Sequence, residues 1–240
     1  MRKSFLMCLA AMITVIPLYA QQENEEEKAF GYEAEIDFQS ALLWRGDYSK
    51  VPNLQSTVEV GYKGLFASAW GFLNQRGETM CELSAGYAYS NATLYFIQYM
   101  GNEFAEEMSY SYGYPKESYN YFELNAGYTL PWIPLSVNWS TVFSKTDTDE
   151  TDKQLYSSYL ECSYEAEVKG VTLTASVGAS PWKSMYTDSN GFKVTDLSLR
   201  AEHVVGATKQ VSIPLRLHLA YNPYCKEFGV AIGIAFSFAN

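Results

Sequence analysis

The sequence predicts an all-β fold: a transmembrane, antiparallel, up-and-down β-barrel of about twelve strands, with both termini on the periplasmic side. Three observations predict it. Bulky and polar residues alternate with period two from residue 32 almost to the end. The connections between these segments alternate between short and long. The chain opens with an export signal.

Composition agrees. The 240 residues are 48% hydrophobic and 16% aromatic, with 20 Tyr, which is too apolar for a disordered chain. A net charge of −10 argues against nucleic acid as a partner, because phosphates need a basic face. Beyond the N-terminus there is no run of about 18 apolar residues, so strands rather than helices must do any spanning.

Residues 1–20 read as the signal peptide. Arg2 and Lys3 precede the apolar stretch Phe5 to Ile16, and a cleavage region ends at the small residue Ala20. The apolar stretch is too short for a membrane anchor. Cys8 lies inside it, too early for a lipoprotein site. Losing Arg2 and Lys3 takes the formal charge from −10 to −12. Residues 21–31 form an acidic periplasmic tail that includes QQENEEEK, and residues 32–240 form the barrel.

Within the barrel the alternating segments fall at 32–45, 54–63, 65–75, 80–90, 92–101, 118–130, 135–145, 156–169, 171–181, 194–205, 211–222 and 226–238. Each has about ten residues or more, the length of a tilted membrane strand. The last is the clearest: Phe228, Val230, Ile232, Ile234, Phe236 and Phe238 alternate with Gly229, Ala231, Gly233, Ala235 and Ser237. Short links such as Lys63-Gly64 and Lys169-Gly170 follow the even segments, and mostly longer ones follow the odd segments. Short periplasmic turns and long outer loops produce that asymmetry; a soluble sandwich does not. Trp44, Trp70, Trp132, Trp139 and Trp182 fall at or near segment ends, where an interfacial ring has an apolar body and a wet tip. Pro214 interrupts segment eleven and marks a bulge near its periplasmic end. Segment five has apolar residues on both faces, and 105–114 could extend strands five and six above the membrane.

With the bulky face toward lipid, the other face lines the lumen. It carries Glu33, Glu35, Asp37, Glu59, Glu82, Glu123, Glu161, Glu165, Glu167, Asp196 and Glu202 against Arg45, Lys63, Lys169, Arg200, Arg216 and His218. Charges without water or partners are costly, so the interior holds water or pairs them. The acidic excess favours cations. Twelve strands lie between filled eight-stranded barrels and wide sixteen-stranded porins, so an open pore and a sealed lumen both remain. The Gly/Ala face of the last segment leaves space and favours a pore.

No enzyme, cofactor or metal is predicted, and no catalytic residue is assigned. Only His203 and His218 are present in the chain. His203 falls on the lipid face near the periplasmic end. His218 points inward, where Ser198 or Ser212 would have to meet it to make a lipid hydrolase, and no G-x-S-x-G signature supports that. Cys81, Cys162 and Cys225 leave an odd count after the leader, so they cannot all pair within one chain. Cys162 reads as a small apolar residue, and a bridge between Cys81 and Cys225 stays open.

Several stretches resemble the TorF-family porins of bacterial outer membranes: FQSALLWRGDY at 38–48, GLFASAWGFLN at 64–74, ELSAGY at 82–87 and YFELNAGY at 121–128. The aromatic-Arg-Gly piece, Trp44, Arg45 and Gly46, is the most distinctive. The similarity covers mainly residues 34–130. The Tyr-rich 102–117 loop and the terminal Ala-Asn depart from the pattern. The resemblance implies a porin-like role with no defined substrate. The expected function is passive diffusion of small solutes or ions, cation-biased, through the outer membrane of a Gram-negative bacterium, with membrane lipid as the other partner. The competing reading is a structural or adhesive barrel with a closed lumen and partner-binding loops. For Arg45, a structural pair with a nearby lumen acid is favoured over a place in a constriction.

Overall fold

The computed structural model describes residues 30–102, 119–208 and 210–239. Among these, twelve strands close into one antiparallel barrel. They are β1 (Gly31–Gln39), β4 (Asn53–Tyr62), β5 (Leu65–Asn74), β6 (Thr79–Tyr89), β7 (Ala92–Asn102), β8 (Tyr119–Thr129), β9 (Leu135–Val142), β10 (Ser158–Val168), β11 (Val171–Ser180), β12 (Lys193–Ala207), β13 (Val211–Asn222) and β14 (Glu227–Ala239). Each pairs with its neighbour in chain order, and β1 closes the ring on β14, from Glu33 opposite Ala239 to Gln39 opposite Gly233. The two remaining strands, β2 (Leu42–Trp44) and β3 (Asp47–Ser49), form a separate small hairpin.

The exterior is the face that water would reject. Phe228, Val230, Ile232, Ile234, Phe236 and Phe238 are 38–61% exposed, while the alternate Ala231 and Ala235 are buried. The same outward set continues through Ile36, Val58, Leu94, Phe96, Tyr164, Leu199 and Leu215. A belt of this kind around a closed barrel meets lipid, because no strand edge is left for water or for another chain. The barrel is thus a transmembrane one.

One end of the barrel carries the tight turns, together with the start of β1 and the end of β14. Lys63-Gly64 and Lys169-Gly170 sit there with both residues at positive φ, the geometry of a two-residue hairpin that continues strand twist. Lys63 and Lys169 are exposed turn residues, not lumen residues; the turn geometry claims the positions that alternation assigned to the interior. The ladder between β12 and β13 slips between Val204 and Gly206, beside Pro214, which is the bulge predicted there.

The first segment is not one strand over 32–45. β1 stops at Gln39, and the chain turns inward through Ser40 and Ala41 into the β2–β3 hairpin. The tip of that hairpin is Arg45-Gly46, with φ of 49° and 89°. It is the same X-Gly turn as the two at the barrel end, used here inside the lumen. The leader (1–20), most of the tail (21–31) and most of the 102–117 loop lie outside the described residues.

Candidate functional site: an acidic lumen crossed by a hairpin

The β2–β3 hairpin spans the interior, and strand alternation sends its side chains to opposite walls. Leu42 packs on Trp70 and Phe72 of β5. Trp44 joins the cluster of Phe66, Tyr95, Ile97, Tyr99 and Tyr121 on β5, β7 and β8. On the other side, Ala41, Leu43 and Tyr48 pack on Ala220 of β13 and Ala231 of β14. The small residues on the inner face of β14 therefore do not leave an open pore at this level. A Cβ on Gly229 would lie 2.6 Å from Leu43 and 3.1 Å from Tyr48. The space is the seat of the hairpin.

Arg45 fixes the tip. Its Nη1 donates to Glu123 Oε2 at 2.6 Å and to the Tyr186 hydroxyl at 2.6 Å. Its Nη2 donates to Glu123 Oε1 and Ser140 Oγ, both at 3.0 Å. This two-pronged arrangement matches the planar guanidinium to the carboxylate. Glu123 also accepts from Tyr99 and Asn125. The rings of Trp44, Tyr159 and Tyr186 stand 4.9, 5.0 and 5.7 Å from the guanidinium carbon. Gly46 passes so close to β12 that an added Cβ would lie 2.1 Å from the Thr195 carbonyl oxygen. Asn222 donates to the Gly46 carbonyl, and Tyr48 donates to Asp196. The long-loop side adds Tyr186 and Met185, whose backbone N–H donates to Ser157 Oγ.

A second ionic centre lies lower in the lumen. Arg216 Nη1 and Nη2 donate to Glu35 at 2.7 Å, Nη1 donates to Asp37 at 2.6 Å, and Nε donates to Glu202 at 2.9 Å. One guanidinium thus faces three carboxylates. Ser237 and Gln39 supply further donors to Glu35 and Asp37.

The predicted lumen residues fall as follows. Glu35, Asp37, Arg45, Glu59, Glu82, Glu123, Glu161, Asp196 and Glu202 are buried in the interior. Glu33, Glu165, Arg200, Arg216 and His218 are half-buried, and Glu167 is exposed near the short-turn end. The structure gathers Arg45 with Glu123, and Arg216 with Glu35, Asp37 and Glu202. Glu59, Glu82, Glu161 and Asp196 make no ion pair among the described residues. Gln39, Gln55, Glu161, Arg200, Glu202, Arg216 and His218 share a cavity with Leu42, Leu43 and Trp44 of the hairpin.

Two sequence-based placements are corrected. Trp44 and Trp70 do not sit at the membrane interface. Trp70 is buried inside the barrel and donates to Gln55, and Trp44 packs on the inner wall. Inward aromatics also line β7 and β8, so the bulky face is not always the lipid face. Their partner is the hairpin, which alternation along one strand does not reveal. Trp132, Trp139 and Trp182 are on the outside. The aromatic ligands of Arg45 at Tyr159 and Tyr186 carried no sequence signal beyond a high Tyr count. Gly178 was the available hint: a Cβ there would clash with the Tyr159 hydroxyl at 1.7 Å.

His218 accepts from Arg200 Nε at 3.4 Å, and no serine hydrogen-bonds it among the described residues. His203 is exposed at the short-turn end, against the Gly170 carbonyl. Cys81, Cys162 and Cys225 are all free, so the open question of a Cys81–Cys225 bridge closes against it. Among the described residues, no group of three His, Cys, Asp or Glu could hold a metal.

A lipid-facing barrel with a charged interior defines the class: a transmembrane β-barrel. No family model matches the chain. No curated relative matches it either. Among solved structures, it is similar to the KdgM porin at 10% identity, covering 87% of this chain and 98% of that one, with a TM-score of 0.47. It is similar to an outer membrane channel from Pseudomonas putida F1 at 12% identity, covering 91% and 98%, with a TM-score of 0.44. A third likeness is to the translocator domain of the autotransporter NalP from Neisseria meningitidis, at 9% identity, covering 93% and 92%, with a TM-score of 0.42.

Proposed function

We propose that this chain is an outer-membrane channel of a Gram-negative bacterium that passes small solutes or ions, with a bias for cations, through a lumen narrowed by the β2–β3 hairpin. The observation that carries the reading is the closed barrel with an apolar exterior and an interior in which acids outnumber bases. Arg45 and Arg216 are held by Glu123 and by Glu35, Asp37 and Glu202. Glu161, Glu165 and Asp196 are left to set a negative potential for whatever enters. The N-terminal leader supplies export, and the aromatic-Arg-Gly stretch fits kinship with the TorF-family porins.

The hairpin also favours a second reading, a sealed barrel whose long loops do the work, since it packs on opposite walls of the lumen at its own level. The two readings part on conductance. The refolded mature chain in a planar bilayer, across a KCl gradient, is expected to give small discrete steps with a cation-selective reversal potential. Silent protein shown to be folded would support the sealed barrel. Anion-selective steps would keep the channel and assign its selectivity to the arginines.

A further inference from the structure

Of the three lumen arginines, two are paired with carboxylates. Arg200 is not. Its one hydrogen bond among the described residues goes to His218, through Nε, and it makes no ion pair there. Asp196, on the same strand, feels its charge without forming an ion pair and accepts from Tyr48 instead, so the terminal N–H groups of Arg200 are left to the cavity it lines beneath the hairpin. Glu161 lines the same cavity. It is buried, accepts only from Ser163, and has no cationic partner among the described residues. The other ions on this cavity are paired: Arg216 with Glu202 at 2.9 Å, and Arg45 with Glu123 at 2.6 Å.

An acid and a base that line one cavity, each unpaired and not paired to each other, form a gap of opposite charge. In a partly desolvated interior such charges gain most from partners that bring the complementary sign. A solute with one charge satisfies one side only. A solute with both satisfies both without adding net charge.

Resting on the channel reading, we infer that this cavity is a subsite for small zwitterionic solutes of the amino-acid type. The carboxylate docks on Arg200 and the ammonium on Glu161. His218 holds the guanidinium by accepting from Nε, which leaves the terminal nitrogens to face the ligand. Gln39 and Gln55 offer neutral amide donors and acceptors on the same cavity, and Leu42 and Leu43 give it an apolar side. The acidic lumen draws the ammonium in, and Arg200 prevents the carboxylate from being rejected.

The test is calorimetry on the full mature protein, refolded in detergent, with three probes of one size: L-alanine, its amide (ammonium only) and its N-acetyl derivative (carboxylate only). L-Alanine is expected to bind tightest. Arg200→Gln should weaken it by about tenfold, the loss of one charge-assisted contact, and shift preference toward the amide. Glu161→Gln should shift preference toward the N-acetyl form. The wild-type ranking is itself decisive if either variant fails to fold. Equal or absent binding of all three probes, or tightest binding of the amide, overturns the inference. Conductance is read separately: steps without L-alanine selectivity sink the subsite alone, whereas absent steps sink the channel whatever binds.

Discussion

Arg45 and Glu123, 78 residues apart in the chain, meet inside the barrel in a two-pronged pair with N–O distances of 2.6 and 3.0 Å. Both side chains are almost wholly inaccessible, at 3% and 1% exposure. The pair ties the tip of a hairpin that begins at one wall to the strands of another. It thereby decides how much of the lumen is free.

Removing one partner strands the other charge. Arg45→Ala and Glu123→Ala are each expected to destabilise the folded barrel by about 3–5 kcal/mol, the cost of an uncompensated buried ion. The double replacement Arg45→Met with Glu123→Leu should cost less than the sum of the two. Urea unfolding of the refolded protein, followed by Trp fluorescence, reads all three. Additive losses would mean that the two residues do not act as a unit.

Gly229 is where the wall yields to the hairpin. Gly229→Val should push Leu43 and Tyr48 out of register, lower stability by about 1–3 kcal/mol, and raise conductance. Gly191→Ala, where an added Cβ meets nothing within 4 Å, is the control and should change stability by less than about 0.5 kcal/mol.

Selectivity should follow depth. Glu161 is buried and Glu167 is exposed near the short-turn end, where salt screens it. Glu161→Gln should therefore move the KCl reversal potential toward zero more than Glu167→Gln does, with Glu165→Gln between them. Equal shifts would place the selective region at the mouth.

The tryptophans divide into two populations. Trp132, Trp139 and Trp182 face outward, and Trp44 and Trp70 face in. Brominated lipid should quench wild-type fluorescence strongly. Trp44→Phe with Trp70→Phe should raise the quenched fraction of what remains, because the protected signal is lost. An unchanged fraction would contradict the inward placement.

Much of the barrel was legible in the chain because each strand carries its own lipid signal. Phe228 through Phe238 alternate cleanly, since one side must satisfy hydrocarbon and the other must not. The tight turns were legible for a similarly local reason: in Lys63-Gly64 and Lys169-Gly170 a glycine takes the second of two positive φ angles. The hairpin was not legible, although Arg45-Gly46 carries the same signature. Its partners lie on β5, β8, β12 and β14, and nothing along residues 41–49 names them. The run Ala41-Leu42-Leu43-Trp44 was the clue, since four consecutive apolar residues suit a strand buried on both faces and not a lipid-facing one. Likewise Gly229 and Ala231 read as empty space until the residues that fill it are placed against them. For Arg45, the favoured pairing with a lumen acid is the one seen with Glu123; the acid itself could not be named from sequence.

The most direct measurement is single-channel conductance of a variant in which residues 41–50 are replaced by a short Gly-Ser turn. Gln39 and Asn53 are already paired neighbours on β1 and β4, so a short link spans them. If the hairpin narrows a cation-biased channel, the variant will conduct several-fold more than wild type and remain cation-selective in a KCl gradient. If both proteins are folded and both are silent, or if their conductances are equal, the hairpin is not what limits the lumen, and the channel reading fails at its centre.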